Sequence, residues 1–305
     1  MNEEYTEKHG LTEQFDTEGL TEVRRLSLDD RFKFSCHKGL ACFNTCCNDI
    51  NIFLTPYDVL RMRKAIGLPS KEFLKRYTIA LLGNDGLPLV VLKMMEDEKK
   101  SCPFVTLDGC SIYQDRPWSC RMYPLFPVSS NETHVLHGNI KDNENNPPSP
   151  PFNKGGRGGL SGEEGFLIEE KPSCLGFKEE KQWTIEEWKK DQGIDIYDKM
   201  NESYKGVTLH DYFQRGNKLD SGRAKMLYRA CYDLDEFKRF LFETRFFDIY
   251  DVEKEIIEKT KEDEEELLSF GYRWVRFSLF SEDTLKLKDK ALDKLLQSRR
   301  ESGIR

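Results

Sequence analysis

Nine cysteines occur in this 305-residue chain, and seven of them fall between Cys36 and Cys120. They form two groups, CHKGLACFNTCC from Cys36 to Cys47 and CPFVTLDGCSIYQDRPWSC from Cys102 to Cys120. Crowding of this kind in a chain long enough to bury an ordinary core needs a chemical reason, and metal binding by thiolates supplies one. The alternative, a disulfide framework, fits poorly. The N-terminus MNEEYTEKHG is acidic where a signal peptide is basic and then apolar, and nowhere do eighteen apolar residues run together. A soluble, cytoplasmic protein is expected, and thiols stay free in a reducing compartment. The adjacent Cys46 and Cys47 would also make a strained disulfide. With 47 basic and 54 acidic side chains the net charge is -7 and no basic run interrupts it, which disfavours nucleic acid as a partner.

The spacings narrow the chemistry without choosing the metal. Structural zinc sites draw paired ligands two to four residues apart. Cys42 and Cys46, with three residues between them, fit that rule. Cys36 to Cys42 and the series Cys102, Cys110 and Cys120 are wider, and an iron–sulfur cluster accommodates wider, less regular spacings because its thiolates bind different irons. Including Cys174 gives eight candidate ligands: Cys36, Cys42, Cys46, Cys47, Cys102, Cys110, Cys120 and Cys174. Two four-thiolate sites and one cluster with spare thiols are both open. Either Cys46 and Cys47 serve two centres or the backbone turns sharply between them. Cys231, on the apolar face of a helical run, reads as a small buried residue, and His37 as a surface or supporting residue. Asp108-Gly109 is a turn that returns Cys110 toward Cys102, and Arg116-Pro117 is a second turn. Arg121, directly after Cys120, is expected either to donate to a sulfur or to make a surface ion pair. Tyr113 and Tyr123 are expected to pack over the site.

The rest of the chain reads as mainly α: a metal-stapled cysteine-rich domain with short strands, plus a C-terminal helical region. Residues 1–30 form a polar leader. The cysteine-rich metal-binding domain covers 31–178 and the helical region 179–305. Thr55 caps a helix with Pro56 in its first turn, ending at Gly67, and Ser70 opens a second. LPLVVLKMM, residues 87–95, is a strand. Residues 143–162 are Pro, Gly, Asn and Ser-rich, a solvated insertion whose GGRGG neither follows a strand nor opens a periodic helix. Thr184 and Glu187 form a capping box. Tyr197, Met200 and Tyr204 mark a helix, and apolar residues recur at three and four after Ser221. The phenylalanines of FKRFLFETRFFDIY are core, and KEDEEE is a solvated helix face.

Cys36, Cys42 and Cys46-Cys47, followed by CPF, GCSIY, RPWSCRMYP and CLG at 174–176, resemble the YkgJ family of cysteine-cluster proteins, described as a zinc- or iron-chelating domain. The resemblance spans residues 31–178 and departs from the compact CxxCxxCC form in its first half. It implies metal binding through an iron–sulfur cluster or zinc, with a structural, redox or metal-handling role. Distantly similar FliB-type lysine methylases imply an alternative, an iron–sulfur enzyme using S-adenosylmethionine. The CxxxCxxC spacing common in such enzymes would need a cysteine at position 49, which is Asp49. A third reading is a partner-binding protein whose C-terminal helices dock another chain.

Overall fold

A computed structural model describes residues 22–128, 165–293 and 297. Helices make up about half of it, with short strands between. The polar leader is described only from its last residues. There, β1 (Glu22–Leu26) joins a sheet, and Leu26 is buried. After β2 (Arg31–Lys33) come the first cysteine group and β3 (Phe53–Leu54). Helix α1 (Pro56–Ala65) starts with a capping box: Thr55 accepts from the backbone N–H of Asp58, and the Asp58 carboxylate reaches back to the backbone N–H of Thr55. Helix α2 (Ser70–Tyr77) leads into β4 (Thr78–Leu82), which pairs with β5 (Pro88–Leu92), and β3 flanks β5 on its other side. The hairpin of β6 (Val105–Thr106) and β7 (Gly109–Cys110) follows, and then the short helix α3 (Trp118–Met122).

Strands β8 (Leu125–Val128) and β9 (Gly165–Glu170) are antiparallel, and Val128 stands opposite Gly165. The low-complexity stretch 143–162 lies outside the described residues. Strand β9 also pairs with β1, and β10 (Gln182–Thr184) pairs with β2 so that Phe32 faces Trp183. The Thr184–Glu187 capping box opens α4 (Ile185–Asp191) as expected. The remaining helices are α5 (Asp195–Thr208), α6 (Asp211–Gln214), α7 (Ser221–Cys231), α8 (Leu234–Glu243), α9 (Phe246–Ile249), α10 (Lys254–Glu262) and α11 (Glu264–Phe280). The apolar run after Ser221 is broken where Asp233 caps α8, its carboxylate accepting from the N–H of Glu236. A residue that stops one helix to start another does not disturb the apolar spacing, so the periodicity alone hides the break.

Two apolar cores result. The larger joins Tyr57, Leu60, Met62 and Phe73 of the first two helices to Tyr197, Leu227, Phe237, Leu268 and Val275. Burying each such side chain fully contributes about 1.5–3 kcal/mol, so the cysteine-rich segment and the C-terminal helices are bound by shared packing. The smaller core is aromatic, with Phe32, Phe34, Trp183 and Trp188 in edge contacts beside Leu125 and Ile168. Trp118 packs against both.

The acidic run KEDEEE is not simply a solvated face. Asp263 caps α11 through the N–H of Glu265 at 2.7 Å, Glu264 pairs with Arg63 and Lys64, and Glu265 accepts from the Tyr57 hydroxyl at 2.9 Å. These acids sit at a helix N-terminus, where the macrodipole favours them, and they hold α11 against α1. The phenylalanines of 237–250 are core, with Phe237, Phe240 and Phe246 around Trp274.

Candidate metal centre

The segment from Cys36 to Cys47 is a chain of tight turns. Leu40 N–H donates to His37 O, Phe43 N–H to Leu40 O and Thr45 N–H to Cys42 O, all within 3.1 Å. Asn44, with φ of 68°, then admits a single 3₁₀ turn at Thr45–Cys47. The start of the segment is tied to the far end of the cysteine series, since Ser35 N–H donates to Gly176 O at 3.0 Å. Glycine is required there: a Cβ would lie 2.8 Å from the Phe34 ring and 3.0 Å from the Ser35 carbonyl. One residue earlier, Leu175 N–H points at the Cys42 sulfur, 3.2 Å away. Cys36, Cys42, Cys46 and Cys174 are thereby neighbours. Burial and then the charges of Cys46, Cys174 and Cys42 push the Cys36 thiol up to about 11. The Tyr123 hydroxyl meets Cys174, and its ionisation is pushed up by burial, by that hydrogen bond and by the nearby Cys174, Cys46 and Cys36.

Beyond Cys47 the chain runs antiparallel to residues 100–102. Cys102 N–H donates to Cys47 O at 2.8 Å, Asn48 bridges to Ser101, and Asp49 N–H donates to Lys100 O. The β6–β7 hairpin brings Cys110 back toward Cys102, as the Asp108-Gly109 turn predicts, with Gly109 at φ of 110° and Cys110 opposite Val105. Helix α3 supplies Cys120. Its thiol is pushed well up by burial and by the charges of Cys102, Cys110 and Asp58. Cys47 is raised by its hydrogen bond to Cys46, by burial, and by Cys46, Cys102 and Cys120, while Cys46 is lowered to about 7 because Cys47 donates to it. The adjacent pair is thus where the two groups of thiols touch.

The cation at this site is Arg116, which sequence reasoning took only for a turn residue. It counters the charge of Cys110 and Cys120, donates to Tyr113 O at 2.5 Å and to the Gln192 side chain, and lies 3.8 Å from the Tyr113 ring. Arg121 does neither of the things expected of it. Buried, it donates to the carbonyls of Arg116, Gln114 and Gln192 and covers the Tyr197 ring. Successive residues of a helix point about 100° apart, which turns it away from the Cys120 side. Tyr123 covers the thiols as expected, whereas Tyr113 is half exposed over Arg116. His37 stays at the surface, 3.3 Å from Glu179. Asp58 is a further residue that sequence reasoning missed. Wholly buried, it accepts from Thr55 N–H and hydroxyl and, at 2.8 Å, from Trp118 N–H, so one carboxylate caps α1 and anchors the helix bearing Cys120. The Thr55-x-x-Asp58 spacing signalled the cap but not the second bond.

All nine cysteines are free of disulfides, and Cys231 is fully buried in the larger core. Among the described residues no group of three or more Cys, His, Asp or Glu side chains stands ready to hold a metal ion. Ionised thiols repel one another here: Cys46, Cys174 and Cys42 raise Cys36, and Cys102 and Cys110 raise Cys120, a repulsion that the bound cation soft thiolates prefer would relieve. The donor set and the 3.2 Å N–H contact to Cys42 fit zinc or iron. Residues 35–147 match the CxxCxxCC family model, described as "Putative zinc- or iron-chelating domain". The match supports a metal-binding cysteine cluster. It takes in seven of the eight candidate ligands and covers somewhat more than a third of the chain. Cys174 lies beyond the CxxCxxCC segment and is brought to it by tertiary structure. The chain matches no curated protein and no solved structure. Among the described residues no helix is long and apolar enough to cross a membrane.

Proposed function

We propose that this chain is a cytoplasmic metal-binding protein that holds zinc or an iron–sulfur cluster through Cys36, Cys42, Cys46, Cys47, Cys102, Cys110, Cys120 and Cys174, and that the metal is structural. One observation carries the reading: thiols from four separated stretches of chain are neighbours where the two apolar cores meet. Bound metal supplies positive charge at that seam. The residues around it do the positioning: Asp58 fixes α3 through Trp118, Arg116 offsets thiolate charge, and Tyr123 closes the site from the side of the smaller core. A structural zinc site contributes about 10–16 kcal/mol, comparable with the roughly 5–15 kcal/mol of a whole domain. Removing the metal should therefore loosen both halves of the seam. The S-adenosylmethionine-dependent methylase reading gains no support, since Asp49, where its third cysteine would stand, pairs with Lys100 at 3.0 Å on the surface.

The deciding experiment is anaerobic purification followed by iron, zinc and acid-labile sulfide analysis, with visible spectra before and after reduction. Metal bound in stoichiometric amount, with the protein losing its cooperative unfolding on chelation, is the expected result. A metal-free chain that unfolds as cooperatively as the purified one would refute it.

A further inference from the structure

We infer that the cluster is two separate four-thiolate centres, an outer one of Cys36, Cys42, Cys46 and Cys174 and an inner one of Cys47, Cys102, Cys110 and Cys120, with the Cys46–Cys47 peptide bond as the link between them. The inference rests on the metal-binding reading and deepens it. Its first support is the hydrogen-bond frame. The outer set is closed by Ser35 N–H to Gly176 O and Leu175 N–H to the Cys42 sulfur, a join across more than a hundred residues. The inner set is closed by Cys102 N–H to Cys47 O, the Asn48–Ser101 bridge and the β6–β7 hairpin. The two frames meet at the turn that carries both Cys46 and Cys47, where the Asn44 side chain also donates to Thr106 O of the hairpin at 2.8 Å.

The second support is packing. Cys102, Cys110 and Cys120 lean on the larger core, whereas Cys174 leans on the smaller one beside Tyr123 and Phe177. The exposed thiols, Cys36 and Cys46, both belong to the outer set, while Cys42, Cys174 and all four inner cysteines are partly buried. The polar neighbours differ as well, the Tyr123 hydroxyl serving the outer set and Arg116 the inner. Zinc in structural sites is four-coordinate and tetrahedral, so eight thiols exceed one ion and match two. A vicinal cysteine pair in a 3₁₀ turn is then the device that lets one short segment feed both.

The test uses the full chain expressed with zinc as the only supplied transition metal, zinc being counted on the folded, monodisperse fraction. Two zinc ions per wild-type chain are expected. One should remain in Cys174→Ser, in Cys110→Ser and in the double variant Cys36→Ser/Cys174→Ser, and none in Cys174→Ser/Cys110→Ser. One zinc in the wild type, lost entirely by either single replacement, overturns the partition while leaving metal binding intact. Two zincs retained in Cys36→Ser/Cys174→Ser overturns the outer ligand set. No zinc on any chain overturns the two-zinc partition, and no zinc together with no iron in the anaerobically purified chain overturns the metal-binding reading itself. If inner replacements fail to fold, the outer double variant still decides, since it removes two outer ligands and keeps one zinc only if the centres are separate.

Discussion

Asp58→Ala tests whether the cysteine site is held in place by the same carboxylate that starts α1. In the native protein its oxygens accept from Thr55 N–H at 2.7 Å, from the Thr55 hydroxyl at 2.9 Å and from Trp118 N–H at 2.8 Å. Alanine leaves two backbone N–H groups without their acceptor, at a cost of about 1–3 kcal/mol each. The hydroxyl can rotate to another partner. Against this, the substitution removes a buried charge whose carboxyl is pushed up to about 6 chiefly by burial, so part of the loss is offset. A net destabilisation of about 3 kcal/mol is expected, a large share of a domain's roughly 5–15 kcal/mol. An asparagine side chain in its place keeps one acceptor oxygen and sets an NH₂ group against the other donor, so Asp58→Asn should lose about half as much. The assay is urea unfolding of the metal-loaded protein at pH 7, followed by tryptophan fluorescence and circular dichroism. An alanine variant within about 1 kcal/mol of wild type, with an unchanged urea slope, would show that the carboxylate does not carry the anchor.

Gly271 in α11 faces the Ala230 carbonyl of α7, where an added Cβ would sit 2.4 Å away. Gly271→Ala gains about 1 kcal/mol of helix propensity, but overpacking against rigid backbone costs about 1–3 kcal/mol or more, so the thermal midpoint should fall; a rise would mean the helices can part freely. Cys231→Ser should lower stability by about 1–3 kcal/mol through an unpartnered buried hydroxyl and leave metal content unchanged, as measured on the folded fraction; loss of metal would place Cys231 at the site. Deleting 143–162 should leave both fold and metal intact, because Val128 and Gly165 are already opposed in the β8–β9 pair; loss of metal on deletion would contradict this. Limited proteolysis after chelation should cut first between Cys36 and Cys47, where tight turns rather than paired strands hold the chain; unchanged resistance there would contradict a structural metal.

The features legible in the sequence were those whose physical cause is local. A Thr cap followed by proline or by an acid three residues on, a glycine-bearing turn between two cysteines and apolar spacing of three and four act within one or two helical turns. On those grounds α1, α2, the β6–β7 hairpin, α4 and α5 stand where they were expected. The concentration of thiols likewise announced metal chemistry before any fold was known. What tertiary structure decided was which groups meet. Leu175 reaches Cys42 across 133 residues and Glu264 reaches Arg63 across 201, and no spacing rule extends that far. The same holds for charge: Arg121 adjoins Cys120 in sequence yet turns inward to carbonyls, while Arg116 faces the thiols. Sequence neighbours on a helix diverge by geometry, and strands far apart in sequence converge by pairing, so composition set the chemistry and the fold assigned it to particular atoms.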